Sequence, residues 1–319
     1  MTELQPTRDP PRPRLLASTA CAIVLAATWL FAAGSASAAS TAAPVAKPSA
    51  ANSDGDLPAE VPQGGLLRGR IAGATALSRR GTGSDPATAI RLAPDGGFVL
   101  GIGRDEAGPV ELEAMFADGP PRHWTIPVIP RAWRLERVDG VPEATVNPPP
   151  EIAARIEREQ ARVAAARTRD DAREDYAGGF DWPVHGRVSG VYGSQRIYNG
   201  TPKSPHSGLD VAVPKGTPVH APAGGIVILA EPDLYLTGGT ILVDHGHGLS
   251  SNFLHLSRLD VKVGDRVERG DVIGLVGATG RATGPHMHWG ANWFGVRIDP
   301  ALLLPPTDPA AAAAAAPVQ

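Results

Sequence analysis

A chain of 319 residues, 42% of them hydrophobic and with a formal net charge of -3, is long enough for two domains and apolar enough to bury a core in each. Its mild acidity, and the lack of a Lys/Arg-rich block with interleaved aromatics, argue against a general nucleic-acid binder. The one cysteine, Cys21, falls in a stretch expected to be removed, which excludes disulfides and thiol chemistry from the remainder.

Arg8, Arg12 and Arg14 precede an apolar stretch from Leu15 to Ala33, and Ala36-Ser37-Ala38 offers small residues for cleavage. Residues 1–38 are therefore expected to be a secretory signal peptide, although the apolar length also permits an uncleaved anchor. A lipoprotein signal would need an aliphatic residue three positions before Cys21, where Ser18 stands. Residues 39–61, rich in Ala, Pro and Ser, read as a disordered linker. Residues 62–147 carry short apolar runs, among them Phe98 to Ile102 after the turn signal Asp95-Gly96-Gly97, and Val110 to Phe116. They predict a small β-sandwich-like N-terminal domain of immunoglobulin-like size.

Pro148-Pro149-Pro150 then opens a helix, expected from Glu151 to about Glu174 inside a helical linker of residues 148–177. Glu151 and Arg155 have favourable i,i+4 spacing, while Ile152, Ile156 and Val163 give only a thin apolar stripe. The helix is expected to be solvated and to hold two domains on the order of 30 Å apart, with the first domain adding nothing to the active site. Gly178-Gly179 ends it. Residues 178–304, dense in short strands with Gly turns, predict a compact antiparallel β domain, so the fold class is mainly β with one connecting α-helix. Residues 305–319, with seven consecutive Ala from Ala310 to Ala316, read as a disordered tail.

Chemistry concentrates in that second domain. His286 and His288 lie two apart, so on a strand their side chains leave one face. Imidazole and Asp together make the mixed nitrogen and oxygen set that zinc accepts, and a hydrolytic zinc needs three protein ligands and one open position. His206 and Asp210 would be roughly 13 Å apart on a straight strand, so the chain must bend between them. Ser207-Gly208 is the place, since Gly adopts conformations closed to other residues. Leu209 to Val213 then alternates like a half-buried strand, with Asp210 on the face opposite Leu209, Val211 and Val213. A rival pair is His245 and His247, which on spacing alone suit a metal equally well; their place between strand-like Thr240 to Val243 and Gly248 reads as a hairpin turn. His123, His185 and His220, taken singly, read as surface or core histidines.

In order, His206 to Asp210 (H-x-x-x-D), His255-Leu256-Ser257, and Gly280 to His288 (G-x-x-x-G-P-H-x-H) resemble the motifs of the lysostaphin/LytM-type zinc metalloendopeptidases, which cut peptide bridges in bacterial cell walls. The resemblance covers roughly Gly179 to Leu304. It implies one Zn2+ per chain, held by His206, Asp210 and His288, with His255 and His286 as the catalytic pair, their division of labour left open. The family often follows the last His with an aromatic and a Glu, whereas this chain has Trp289-Gly290. The resemblance further implies a peptidoglycan peptide as partner; the charge argues against nucleic acid, and cleavage of the signal would leave no stable membrane insertion. Location would be periplasmic or extracellular, and D-Ala to diaminopimelate cross-links are favoured over glycine bridges. The runner-up is a non-enzymatic regulator, because some relatives lose ligands and activate cell-wall amidases; here all five positions are retained.

Overall fold

The computed structural model describes residues 55–81, 86–139, 149–306, 308–310 and 313. The signal peptide expected at residues 1–38, most of the expected linker and most of the expected tail lie outside the described residues. The described chain is mainly β with one long helix, as its alternating apolar pattern predicts.

The first half contains a four-stranded antiparallel sheet built on β2 (Ala74–Arg79) and β4 (Val110–Phe116), and a two-stranded ladder of β1 (Leu66–Arg70) with β3 (Gly97–Gly101). Strand β4 alternates as a half-buried strand should, with Val110, Leu112 and Ala114 inward. All-β holds, but in place of a full sandwich there is a four-stranded sheet beside short ladders. Order also begins before residue 62: Asp56 exchanges backbone hydrogen bonds with Arg70, and Val61 pairs in parallel with Val128. Asp56 and Val61, both in the expected linker, are thus paired with the first half of the chain.

The helix α1 (Pro150–Ala166) starts where the prolines predict and stops eight residues short of Glu174. Its end is set by local side chains. Thr168 Oγ1 donates to the Ala165 carbonyl, and the Asp171 carboxylate accepts from the Arg173 amide, both of which compete with helical hydrogen bonding. The expected Glu151/Arg155 pair gives way to Arg155 with Glu159 at 2.7 Å. The helix is not a free spacer. Arg162 reaches Glu231, Arg155 reaches Asp233, and the Glu159 carboxylate accepts from the Tyr235 amide, so charge rather than an apolar stripe docks it.

The second half is centred on an eight-stranded antiparallel sheet. Its central order is β6 (Gly208–Ala212), β9 (Met287–Trp293), β8 (Leu249–Leu256), β7 (Gly238–Gly246), and β10 (Val296–Ile298) pairs with the far end of β9. Nearly every residue of β7, β8 and β9 is buried, as expected for strands covered on both faces. One cover is the first half itself. A single apolar core runs from Leu67, Phe98 and Ile102 to Trp289, Trp293 and Ile298, Asp299 N–H donates to the Gly64 carbonyl, and a buried Arg131–Asp299 ion pair at 2.8 Å crosses between the halves. The helix therefore does not hold two domains apart; they share a core. Asp308, in the expected tail, accepts from Trp182 Nε1 at 2.6 Å.

Candidate active site

Antiparallel register assembles the cluster. In β6, Asp210 stands between buried Leu209 and Val211, on the opposite face; β6 pairs with β9 so that Asp210 is opposite His288, and β8 brings Leu254 opposite His288 on the other side. The bend before Asp210 falls at Ser207-Gly208, but Gly208 is required for space rather than for an unusual backbone angle. A Cβ there would collide with the Trp289 carbonyl and lie 2.7 Å from His288 Nε2.

Three ligand-type atoms meet at one point. His206 Nε2 lies 3.1 Å from Asp210 Oδ1 and 3.1 Å from His288 Nδ1, and the latter is 2.9 Å from Asp210 Oδ1. Burial works against the Asp210 charge, yet hydrogen bonds and charge from His206 and His288 outweigh it and hold the carboxyl far below its usual range. For His206 burial also opposes charge, and the Asp210 carboxylate reverses it, raising the imidazole above its ordinary value. Burial lowers His288.

His206 is aimed by the loop before it. Its Nδ1–H donates to the Val191 carbonyl at 3.0 Å, so that the ring, when neutral, turns its Nε2 lone pair to the cluster, while its backbone bonds Gly193 and Ser194. That loop is gripped by the first half of the chain, a feature the sequence reading missed. Arg104 Nε donates to the Gly193 carbonyl at 2.9 Å, and the Trp133 ring fills the space a Cβ on Gly193 would need. Trp133 also meets Tyr192 edge-on at 5.8 Å and is contacted by the Arg104 and Arg131 guanidinium groups at 5.0 and 4.6 Å. Beside it strand β5 (Leu135–Val138) adds in parallel to Gln195–Tyr198. Only the aromatic residue set among arginines in Arg131-Ala132-Trp133-Arg134 could have hinted at this.

His255 and His286 adjoin the cluster. His255 closes strand β8 with φ +64°, rare for a non-Gly residue, and its Nδ1–H donates to the Thr279 carbonyl at 2.8 Å. His286 is extended and forms an isolated bridge with Gly277, just before β9 begins rather than within it. Its Nδ1–H donates to the Gly284 carbonyl at 2.9 Å, and its Nε2 comes within 3.9 Å of Asp210 Oδ1. The two rings are 4.7 Å apart. With both Nδ1 atoms committed to carbonyls, Nε2 is the atom through which either ring can exchange a proton. Burial pulls His255 down to about 4, so it is neutral at physiological pH.

The rival His245 and His247 stand elsewhere. His245 lies within β7 rather than in the turn, fully buried, donating from Nδ1 to the Gly224 carbonyl at 2.6 Å and accepting at Nε2 from Ser251 Oγ at 2.9 Å. Ser251 Oγ in turn accepts from Trp289 Nε1 at 3.3 Å, which gives that Trp a structural partner. His247 occupies the turn with φ +50° and packs against Tyr176. Neither reaches the cluster formed by His206, Asp210 and His288, whose ligand atoms lie within 4.8 Å of one another. Gly290, where the family often has Glu, leaves room for Asn252, whose Oδ1 would lie 2.6 Å from a Cβ there.

The donor set suits a divalent zinc. Two imidazole nitrogens, 3.1 Å apart, and a carboxylate oxygen converge, one imidazole has its tautomer fixed by a carbonyl, and a cation is the partner toward which both nitrogens could turn lone pairs. Two further histidines beside such a site suit proton transfer.

Comparison with known proteins agrees with this geometry. Residues 204–300, which contain all five positions, match peptidase family M23. The peptidoglycan DD-endopeptidase ShyA of Vibrio cholerae is 40% identical over 104 residues, 32% of this chain and 24% of that relative. The DD-carboxypeptidase/endopeptidase Mpg of Neisseria meningitidis is 39% identical over 103 residues, 32% and 23% respectively. The chain thus spans about a quarter of the length of these curated relatives. A crystal structure from Pseudomonas aeruginosa assigned to peptidase M23 is 36% identical with a TM-score of 0.57, and the match covers 76% of this chain and 94% of that one. That likeness extends through both halves, and the chain belongs to peptidase family M23.

Proposed function

We propose that this chain is a secreted zinc metalloendopeptidase that hydrolyses peptide cross-links of bacterial peptidoglycan. The observation that carries the reading is the convergence of His206, Asp210 and His288, with the Nε2 atoms of His255 and His286 beside them. A relative that had become a regulator by losing ligands would not keep this set. The relatives named DD-endopeptidases favour D-Ala to diaminopimelate cross-links over glycine bridges. The basic, apolar and small-residue order of residues 1–38 supports export to the periplasm.

His206, Asp210 and His288 would hold the metal, and zinc when bound supplies Lewis acidity toward a scissile carbonyl and toward water. The rest falls to the chain. His255 and His286 each offer Nε2 to exchange a proton: as an acceptor it takes one from the attacking water, and once protonated it donates to charge developing on the carbonyl oxygen or returns the proton to the leaving amine. Carbonyl bonds at both Nδ1 atoms hold the rings in that orientation throughout.

The test is metal content together with digestion of cross-linked wall peptides by the purified chain. About one zinc per chain and cleavage at the cross-link are expected, and His288→Ala should lose most of the metal because one of three ligands is gone. Stoichiometric zinc in dialysed His288→Ala would overturn the ligand assignment.

A further inference from the structure

The face of the sheet that carries His288 continues beyond it. Side chains two apart on a strand share a face, so Gly290 and Asn292 follow His288 on that face, at roughly 7 and 13 Å. Directly paired residues also share a face: Asn252 stands opposite Gly290, and Arg297 on β10 stands opposite Asn292. From above, the residue that ends helix α1 reaches down: Arg167 Nη2 donates to Asn252 Oδ1 at 3.4 Å.

This patch holds two unmet donors. Arg167 Nε and Asn292 Nδ2 are buried without a hydrogen-bond partner, and among the described residues no carboxylate pairs with Arg167 or Arg297. Nearby acids are already taken. Asp171 and Asp244 are held by Arg169 and Arg173, Asp175 by Arg173 and Arg266, and Asp170 by Arg91. Burial, with repulsion from Arg297 added, pulls the Arg167 guanidinium down to about 10, so it stays charged near neutrality. Buried donors are normally paired. Two guanidinium groups and an amide N–H call for a partner that only accepts, and the planar fork of Arg matches a carboxylate.

We infer that Arg167, Arg297 and Asn292 form a subsite that binds a carboxylate of the substrate peptide, within a few residues of the bond to be cut. This rests on the wall-peptide reading above and deepens it. The helix end would then select substrate by charge, a role separate from the five residues of the cluster.

The experiment uses the full chain and two matched probes: a soluble, uncross-linked wall stem peptide with its carboxyl groups free, and the same peptide with them amidated. Calorimetry should show the free form binding about tenfold more tightly or better, with Arg167→Gln and Arg297→Gln each removing most of the preference and Arg167→Lys retaining part of it. On cross-linked versions of the peptides, the loss in the Gln variants should appear in KM with kcat little changed, as for an interaction made equally in ground and transition states. Arg297 is exposed, so its variant decides the matter if Arg167→Gln fails to fold. Equal binding of the two probes by the native chain, or undiminished discrimination in folded Arg297→Gln, would overturn the subsite. Discrimination without any cleavage would support it while sinking the proposed hydrolysis.

Discussion

Among the five clustered side chains, His255 is held in the least ordinary way: buried, at φ +64°, with its Nδ1 bound to Thr279 and its backbone N–H to the Thr237 carbonyl. A non-Gly residue in that region costs about 1–3 kcal/mol and persists where the surroundings fix it, so His255→Ala keeps the strain while deleting the chemistry. His255→Ala and His286→Ala are expected to retain zinc and fold while losing hydrolysis by roughly 10²–10⁴, the range for a lost acid–base or charge-stabilising group. Loss of zinc from either variant would mean that the ring is a ligand. A different histidine sets acid sensitivity. Burial lowers His245 from 6.5 to about 4, so between those values the unfolded chain takes up a proton that the folded chain refuses. Its contribution is present above pH 6.5 and is lost as pH falls toward 4, by up to about 3 kcal/mol for the one group. Asp244 opposes it: burial pushes its carboxyl from 3.8 up to about 6 despite Arg173 and Arg169, so this carboxyl favours the fold as pH falls through the same window. The difference between native chain and His245→Gln isolates the histidine, and the native chain should lose more stability than the variant between pH 6.5 and 4 in denaturant titrations. Parallel losses, or an NMR titration of His245 near 6.5, would refute this.

At the scale of elements, the loop from Val191 to Gln195 both orients His206 and receives Arg104, Trp133 and the strand Leu135–Val138. Metal affinity should therefore depend on a residue that touches no ligand. Trp133→Ala is expected to weaken zinc binding by about 10–100-fold, the range for loss of an outer partner of a ligand, and to alter the visible spectrum of the cobalt-substituted protein; Trp133→Phe should recover most of both. An unchanged cobalt spectrum in folded Trp133→Ala would show that the loop holds itself. Sequence made some of these elements readable and hid others for a physical reason. The strand bearing Asp210 was legible because Leu209, Asp210 and Val211 alternate, and the pair His286 and His288 because extended chain repeats every two residues. The helix end at Ala166 was not, since it depends on Thr168 and Asp171 bonding locally and on Arg169 and Arg173 reaching a buried Asp244 from another strand. No periodicity encodes a pairing across 71 residues.

For the whole molecule, composition and turn density suggested two halves joined by a spacer, whereas the halves share one core. Whether residues 178–304 are a separable domain then becomes a question of what trimming would expose. Removing everything before Gly179 would uncover Trp293 and Ile298, which belong to the core continuous with Phe98 and Ile102. It would also take Arg131 from Asp299. That carboxylate is 3% exposed, and burial holds it above its usual range even with Arg131 beside it; breaking a buried pair by deleting one partner costs about 3–5 kcal/mol. The loop that aims His206 would lose Arg104 and Trp133 in the same step. A chain trimmed to residues 179–304 is therefore expected to melt well below the full-length chain, to bind zinc more weakly, and to regain both properties when residues 55–139 are supplied. Thermal unfolding and zinc competition on the two proteins give the answer directly. If the trimmed chain is monomeric and matches the full chain in melting temperature and zinc affinity, the shared core contributes nothing that the sheet bearing His288 lacks, and the first half must be sought as an accessory to the substrate rather than to the site.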